Sequence, residues 1–217
     1  MIFAAGFGRR MAPLTDTRPK PLIEVGGRTL LDHALAPALE AGLAPICVNA
    51  HYRADQIEAA LAGSPARVLR EAPDILETGG GLKAALPHLP GDAVFTMNSD
   101  AVWDGPNPFE VLRTAWRGDV DALLLCVPLD RALGRDDAGD FEITEGQFRR
   151  GAGFVYTGAQ IIRRAPIAAH PERVFSFNVI WDALIAGGRI GACLYHGRWC
   201  DVGRPSSLAL EEAMRDV

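Results

Sequence analysis

A chain of 217 residues, 48% of them hydrophobic and 23% charged, has enough apolar mass for one substantial core. Its net charge of −5 and its scattered basic residues argue against nucleic acid or an anionic membrane surface as partner, and favour a small-molecule substrate. No apolar run approaches the roughly 20 residues of a membrane span, and the first residues lack the basic and apolar regions of a signal peptide, so a cytoplasmic protein is expected.

In chain order, strand-like runs at 2–5, 45–49, 66–70, 93–97 and 122–127 alternate with segments at 29–41, 54–61, 80–86 and 108–116, whose apolar residues recur at three- and four-residue steps. This alternation predicts an α/β fold, a Rossmann-like, mainly parallel sheet flanked by helices with right-handed crossovers. Beyond Pro128 the pattern changes. Residues 139–147 contain a predicted hairpin, 153–162 a strand, 176–186 a helix, 190–195 a strand, and 205–215 a closing helix with Pro205 near its first turn. There is no repeat and no low-complexity linker. A single domain over 1–217 is therefore expected, with 1–128 as one half and 129–217 as a small β-rich lid built onto the same sheet. The first strand starts at residue 2 with almost no lead, as a short strand or a start codon placed inside a longer reading frame would leave it.

Cys47, Cys126, Cys193 and Cys200 form no C-x-x-C pair and read as buried thiols, although Cys200 beside Asp201 also reads as a candidate reactive thiol. The five histidines show no metal-ligand spacing.

The segment Ala4-Ala5-Gly6-Phe7-Gly8-Arg9-Arg10-Met11 follows directly on the first strand. Its glycines let the backbone approach a phosphate without a Cβ in the way, so Ala5, Gly6 and Gly8 can offer N–H donors to one anion. Arg10 adds a planar guanidinium and Lys20, between Pro19 and Pro21, a point charge; together they describe a polyphosphate cradle. By itself a G-x-G also arises in unrelated turns. A dinucleotide-binding loop would want glycine or alanine where Met11 stands, and an acid where Asn49 stands. The G-x-x-x-x-G-K-[ST] of a P-loop is absent.

Further along, Asp100 stands just past the carboxyl end of the 93–97 run, where open α/β sheets place their sites. Asp201 lies in a compact turn between Trp199 and Gly203; both aspartates also read as plain turn formers. Glu77-Thr78-Gly79-Gly80-Gly81 places three glycines at a predicted helix N-terminus, where free N–H groups and the helix dipole favour ligand oxygens; a flexible cap is the competing reading.

The run from Ala4 to Leu22, AAGFGRRMAPLTDTRPKPL, resembles the signature of the sugar-1-phosphate nucleotidyltransferases, and the resemblance extends to the end of the chain. Glu77 to Gly81, Gly139-Asp140-Phe141, Tyr156-Thr157-Gly158 and Trp199-Cys200-Asp201-Val202-Gly203 bring it nearest to the short N-acetylmuramate-1-phosphate uridylyltransferases of cell-wall recycling. This resemblance implies a glycosyltransferase-A-like nucleotidyltransferase fold, with 1–128 binding an NTP and 129–217 the sugar. The implied reaction joins UMP from UTP to a sugar 1-phosphate, N-acetylmuramate 1-phosphate by first choice, and releases pyrophosphate. Arg10, Lys20 and Asp100 are its catalytic residues, Glu77, Gly79, Gly80 and Asn98 meet base and ribose, and Mg²⁺ sits on Asp100 and Asp201. Such a transfer brings two anions together, and Mg²⁺ suits one or two carboxylates plus phosphate oxygens and water. No protein nucleophile is required.

For the sugar, Asp140, Thr157 and Gly158 are the candidate contacts, followed by Asn178 and Asn49. The second half lacks the Glu-Lys-Pro motif of larger relatives, and Ser99 stands where relatives often carry glycine. Arg131, Arg135, Asp136 and Asp137 read as a solvated loop or a mobile lid over the sugar. Guanylyl or thymidylyl transfer to another hexose or heptose 1-phosphate, transfer to a non-sugar acceptor, and a nucleotide-sensing module without chemistry remain alternatives. A monomer or homodimer is expected.

Overall fold

The computed structural model describes residues 1–144 and 147–210. Its elements in chain order are β1 (Ile2–Phe3), β2 (Glu24–Val25), β3 (Arg28–Thr29), α1 (Leu30–Glu40), β4 (Ile46–Ala50), α2 (Ala54–Ala60), β5 (Ala66–Arg70), α3 (Glu77–Ala85), β6 (Ala93–Asn98), β7 (Ala101–Asp104), α4 (Pro108–Ala115), β8 (Ala122–Pro128), β9 (Ala132–Leu133), β10 (Phe141–Thr144), β11 (Gln147–Arg150), β12 (Phe154–Arg163), α5 (Arg164–Ala169), α6 (Phe177–Ala186), β13 (Ile190–Leu194) and β14 (Arg198–Asp201). Residues 207–210 begin the predicted closing helix; the rest of it, like the hairpin turn at 145–146, lies outside the described residues. That hairpin pairs Phe141–Thr144 with Gln147–Arg150, so it continues past the predicted end at 147.

The large sheet runs β5-β4-β1-β6-β12-β8-β13. Its β5-β4-β1-β6 side is parallel, β12 is antiparallel to both β6 and β8, and β13 is again parallel to β8. The β10–β11 hairpin attaches to the first residue of β12. Alternation explains how the sheet is covered on both faces. On β8, Leu123, Leu125 and Val127 enter the core shared with α1 and α4, whereas Ala122, Leu124 and Cys126 enter the one shared with α3 and α6. Helix starts are set by local chemistry. Thr29 and Asp32 form a reciprocal capping box on α1, Asn107 caps α4 ahead of Pro108, and Ser176 caps α6.

Strand β1 pairs with β4 on one side and β6 on the other, so the chain order reverses beside it and a crevice opens at the carboxyl ends of β1 and β6. A second sheet of three strands, β7-β14-β9, stands at that crevice over a small core of Met11, Ile23, Leu30, Val102, Cys200 and Val202. Its existence corrects the sequence reading of Asp201, which is the last residue of a strand rather than a turn residue. The reason is non-local: Asp201 pairs with Ala101, and Val202 N–H donates to the Asp100 carbonyl (2.8 Å). Cys200 on the same strand is buried.

Candidate active site

Two clefts open at the crevice, one of about 220 Å³ and one of about 230 Å³, and both are lined by Asn98 and Asp100. The first cleft has the glycine-rich loop at one end and the start of α3 at the other. Gly8 takes φ 64°, and the N–H groups of Gly6, Phe7 and Gly8 donate to no protein acceptor among the described residues. A Cβ on Gly6 would meet nothing within 4 Å, so the loop faces open space with its donors unused. Lys20 is largely buried beneath this loop, and its Nζ stands 3.0 Å from Asp100 Oδ2. Ser99 is held by its hydroxyl, which donates to Phe3 O (2.6 Å).

At the other end, Glu77 takes φ 59°, a conformation unusual for a side chain with a Cβ, and lines the cleft together with Ile75 and Thr78. Gly79 and Gly80 do not line it. A Cβ on Gly79 would stand 2.3 Å from the Phe175 ring, one on Gly80 2.3 Å from the Arg173 carbonyl, and Gly80 N–H donates to Phe175 O. The glycines therefore admit residues 173–175 against the helix, which a local reading of the motif has no means of seeing.

The second cleft carries more charge of both signs. Arg10, Arg135 and Arg150 line it with Asp140, Asn178 and Asp201. Arg10 belongs to this cleft rather than to the loop's open donors, and Asn49 belongs to the first cleft rather than to this one. Arg135, which reads from sequence as part of a solvated loop or of a lid over the sugar, has a side chain only 18% exposed and bonds Asp137 (2.8 Å) and Asp140 (3.0 Å). Asp140 also accepts from Tyr156 N–H (2.9 Å) and so fixes this wall. Thr157 is buried; its hydroxyl donates to Leu125 O (2.7 Å) and its carbonyl accepts from Trp199 Nε1 (3.0 Å), so both are engaged within the protein. Gly158 takes φ 91° where the β12–β8 register slips, and a Cβ there would stand 2.9 Å from that of Asn98. Arg150 is absent from the sequence candidates, because an exposed-looking hairpin arginine carries no local mark of a site. Its guanidinium lies over Phe141 (4.9 Å) and Trp181 (5.5 Å) and bonds Asp182 (2.8 Å) and Asn178 (2.9 Å).

Asp100 and Asp201 both line the second cleft. Burial, and then the Asp100 charge, push the Asp201 carboxyl up to about 6, against the opposing pull of Lys20, Arg135 and Arg10. Among the described residues no cluster of three or more His, Cys, Asp or Glu forms a metal cage. Asp100, which is paired with Lys20, and Asp201 offer two carboxylates whose oxygens fit Mg²⁺, which completes its shell with water and phosphate oxygens.

Residues 1–174 match the model of the MobA-like NTP transferase domain. The N-acetylmuramate alpha-1-phosphate uridylyltransferase of Caulobacter vibrioides is 36% identical over 229 residues, covering 98% of this chain and 95% of that protein. The protein of the same name from Neisseria meningitidis serogroup B is 41% identical over 109 residues, covering 48% of this chain and 47% of its own. The inositol-1-phosphate CTP transferase from T. maritima superposes with a TM-score of 0.79 at 15% identity, over 99% of this chain and 93% of that one, which shows a shared fold.

Proposed function

Because the chain belongs to the family of MobA-like NTP transferase domains, we propose that it transfers UMP from UTP to N-acetylmuramate 1-phosphate and releases pyrophosphate. The observation that carries this reading is the pair of clefts with Asn98 and Asp100 as their common wall. A two-substrate transfer needs its reacting groups presented to one another, and a shared wall does that. Uracil as the base rests on the two uridylyltransferase relatives. The acceptor draws support also from the arginines of the second cleft: Arg135 and Arg150 are held by aspartates, and with Arg10 they offer guanidinium donors of the kind that bind a phosphate and the carboxylate that N-acetylmuramate adds.

In this assignment the open N–H groups of Gly6, Phe7 and Gly8 take the triphosphate, Lys20 neutralises charge beside Asp100, and Arg10 faces the approaching sugar phosphate. Asp100 and Asp201 would hold Mg²⁺, which supplies charge neutralisation at the α-phosphate. A sugar-phosphate oxygen forms the new bond to the α-phosphorus as the bond to the bridging oxygen of pyrophosphate breaks. Glu77 and the backbone around Thr78 stand at the base end.

Pyrophosphate release, with each of the four NTPs against a panel of sugar 1-phosphates, tests the reading. Release that needs UTP together with N-acetylmuramate 1-phosphate supports it. Dependence on another NTP or on a neutral hexose 1-phosphate replaces the base or the acceptor. Nucleotide binding without release for any pair points to a module without chemistry.

A further inference from the structure

The two ends of the nucleotide cleft are joined underneath by a relay of three hydrogen bonds. Ala4 N–H, where β1 passes into the glycine-rich loop, donates to Asn49 Oδ1 (2.8 Å). Asn49 Nδ2 donates to Glu71 Oε1 (2.7 Å), and Glu71 Oε2 accepts from Leu76 N–H (2.7 Å), immediately before α3. Asn49 and Glu71 are 3% and 5% exposed. Among the described residues the Glu71 carboxylate has no basic partner, only these amide donors. A buried, unpaired carboxylate is costly to desolvate, so its place here needs a reason beyond filling space.

The hydrogen-bond arithmetic supplies one. Both ends of the relay, Ala4 and Leu76, are N–H donors, so of the four side-chain atoms between them three must accept and one must donate. Asparagine with glutamate meets that count. Asparagine with glutamine leaves two donors facing each other, and aspartate with glutamate leaves two acceptors doing so. The relay also explains the third glycine of the Glu77 to Gly81 motif. A Cβ on Gly81 would stand 2.8 Å from Glu71 Oε1 and 2.9 Å from Asn49 Nδ2.

We propose that Glu71 is a positioning residue which, through Asn49, sets the separation between the phosphate loop and the base-side helix. Binding of the triphosphate is thereby coupled to binding of the base. Glu71 touches no ligand in this role, and the proposal is independent of which base or acceptor the enzyme takes.

The test uses Glu71→Gln, Asn49→Asp and the double variant that carries both substitutions. With aspartate at the first position and glutamine at the second, the double variant restores the count of three acceptors and one donor. The four NTPs are first titrated calorimetrically into wild type with Mg²⁺, and the tightest is carried forward. A base other than uracil then corrects the proposed reaction and leaves the relay to its own test. Each single variant is expected to weaken the NTP about tenfold or more, and the double variant to return within about threefold of wild type. Inorganic pyrophosphate, which spans only the loop, is expected to change by no more than about twofold in Glu71→Gln, whose side chain does not line the cleft. The proposal is overturned by an unchanged NTP affinity in Glu71→Gln, by a double variant no better than the worse single, or by pyrophosphate weakening as much as the NTP in Glu71→Gln. If a single variant does not fold, the double variant decides: wild-type affinity and kcat support the relay, and their loss overturns it.

Discussion

Burial and the neighbouring Asp100 charge raise the Asp201 carboxyl from 3.8 to about 6. Between those values the folded, metal-free chain keeps a proton that the unfolded chain has lost. The folded state therefore binds more protons, and stability falls as pH rises through this window, by roughly 3 kcal/mol in all. Asp201→Asn removes the charge. In EDTA that variant is expected to melt above wild type at neutral pH and to lose the slope across the window, while pyrophosphate release falls by about a hundredfold or more. Asp100→Asn is expected to lose activity similarly. Wild-type turnover in either variant at saturating Mg²⁺ removes that aspartate from the chemistry. Arg150→Gln is expected to raise KM for a carboxylate-bearing acceptor about tenfold and leave a neutral hexose 1-phosphate unaffected, as read from acceptor titrations. The loop glycines and Asp100 are legible in the sequence because each lies beside a strand whose apolar run announces it, and Lys20 because two prolines flank it within the run that carries the resemblance. Arg150 is not, and Arg135 is legible only as one of two readings of its loop, because their places in the second cleft depend on Asp140, Asn178 and Trp181 approaching from other elements.

Helix α3 shows the same division. Its existence follows from spacing, and it begins at Glu77, three residues before the predicted start. The purpose of Gly79 and Gly80 does not follow from spacing, because what they accommodate lies about ninety residues further along the chain. A Cβ on Gly80 meets the Arg173 carbonyl, which is backbone and cannot rotate away. Gly80→Ala is therefore expected to cost about 1–3 kcal/mol in urea denaturation and to raise KM for the NTP. Strands with a strong apolar period, such as β5 and β8, fall within a residue of their predicted bounds. The strands β7, β9 and β14 have two to four residues each, and their pairings span tens of residues, so no local period marks them.

The large sheet draws strands from both sides of Pro128, with β12 inserted between β6 and β8, so neither half closes its own hydrogen bonds. A single cooperative calorimetric transition is expected, moved upward by Mg²⁺ with the NTP. Two transitions would mean that the nucleotide half folds alone. The proposed metal carboxylates follow the same partition, since Asp100 leaves the large sheet and Asp201 ends a strand of the small one. In protein synthesis this has a consequence in time. A nascent chain has made its phosphate loop, Lys20 and Asp100 when less than half of its 217 residues exist, and it still lacks the second carboxylate until the small sheet zips shut. Fragments released before β12 would then carry most of the proposed catalytic residues on a sheet they cannot close, and the nucleotide cleft and the carboxylate pair would arise together only once β12 and β14 have been made.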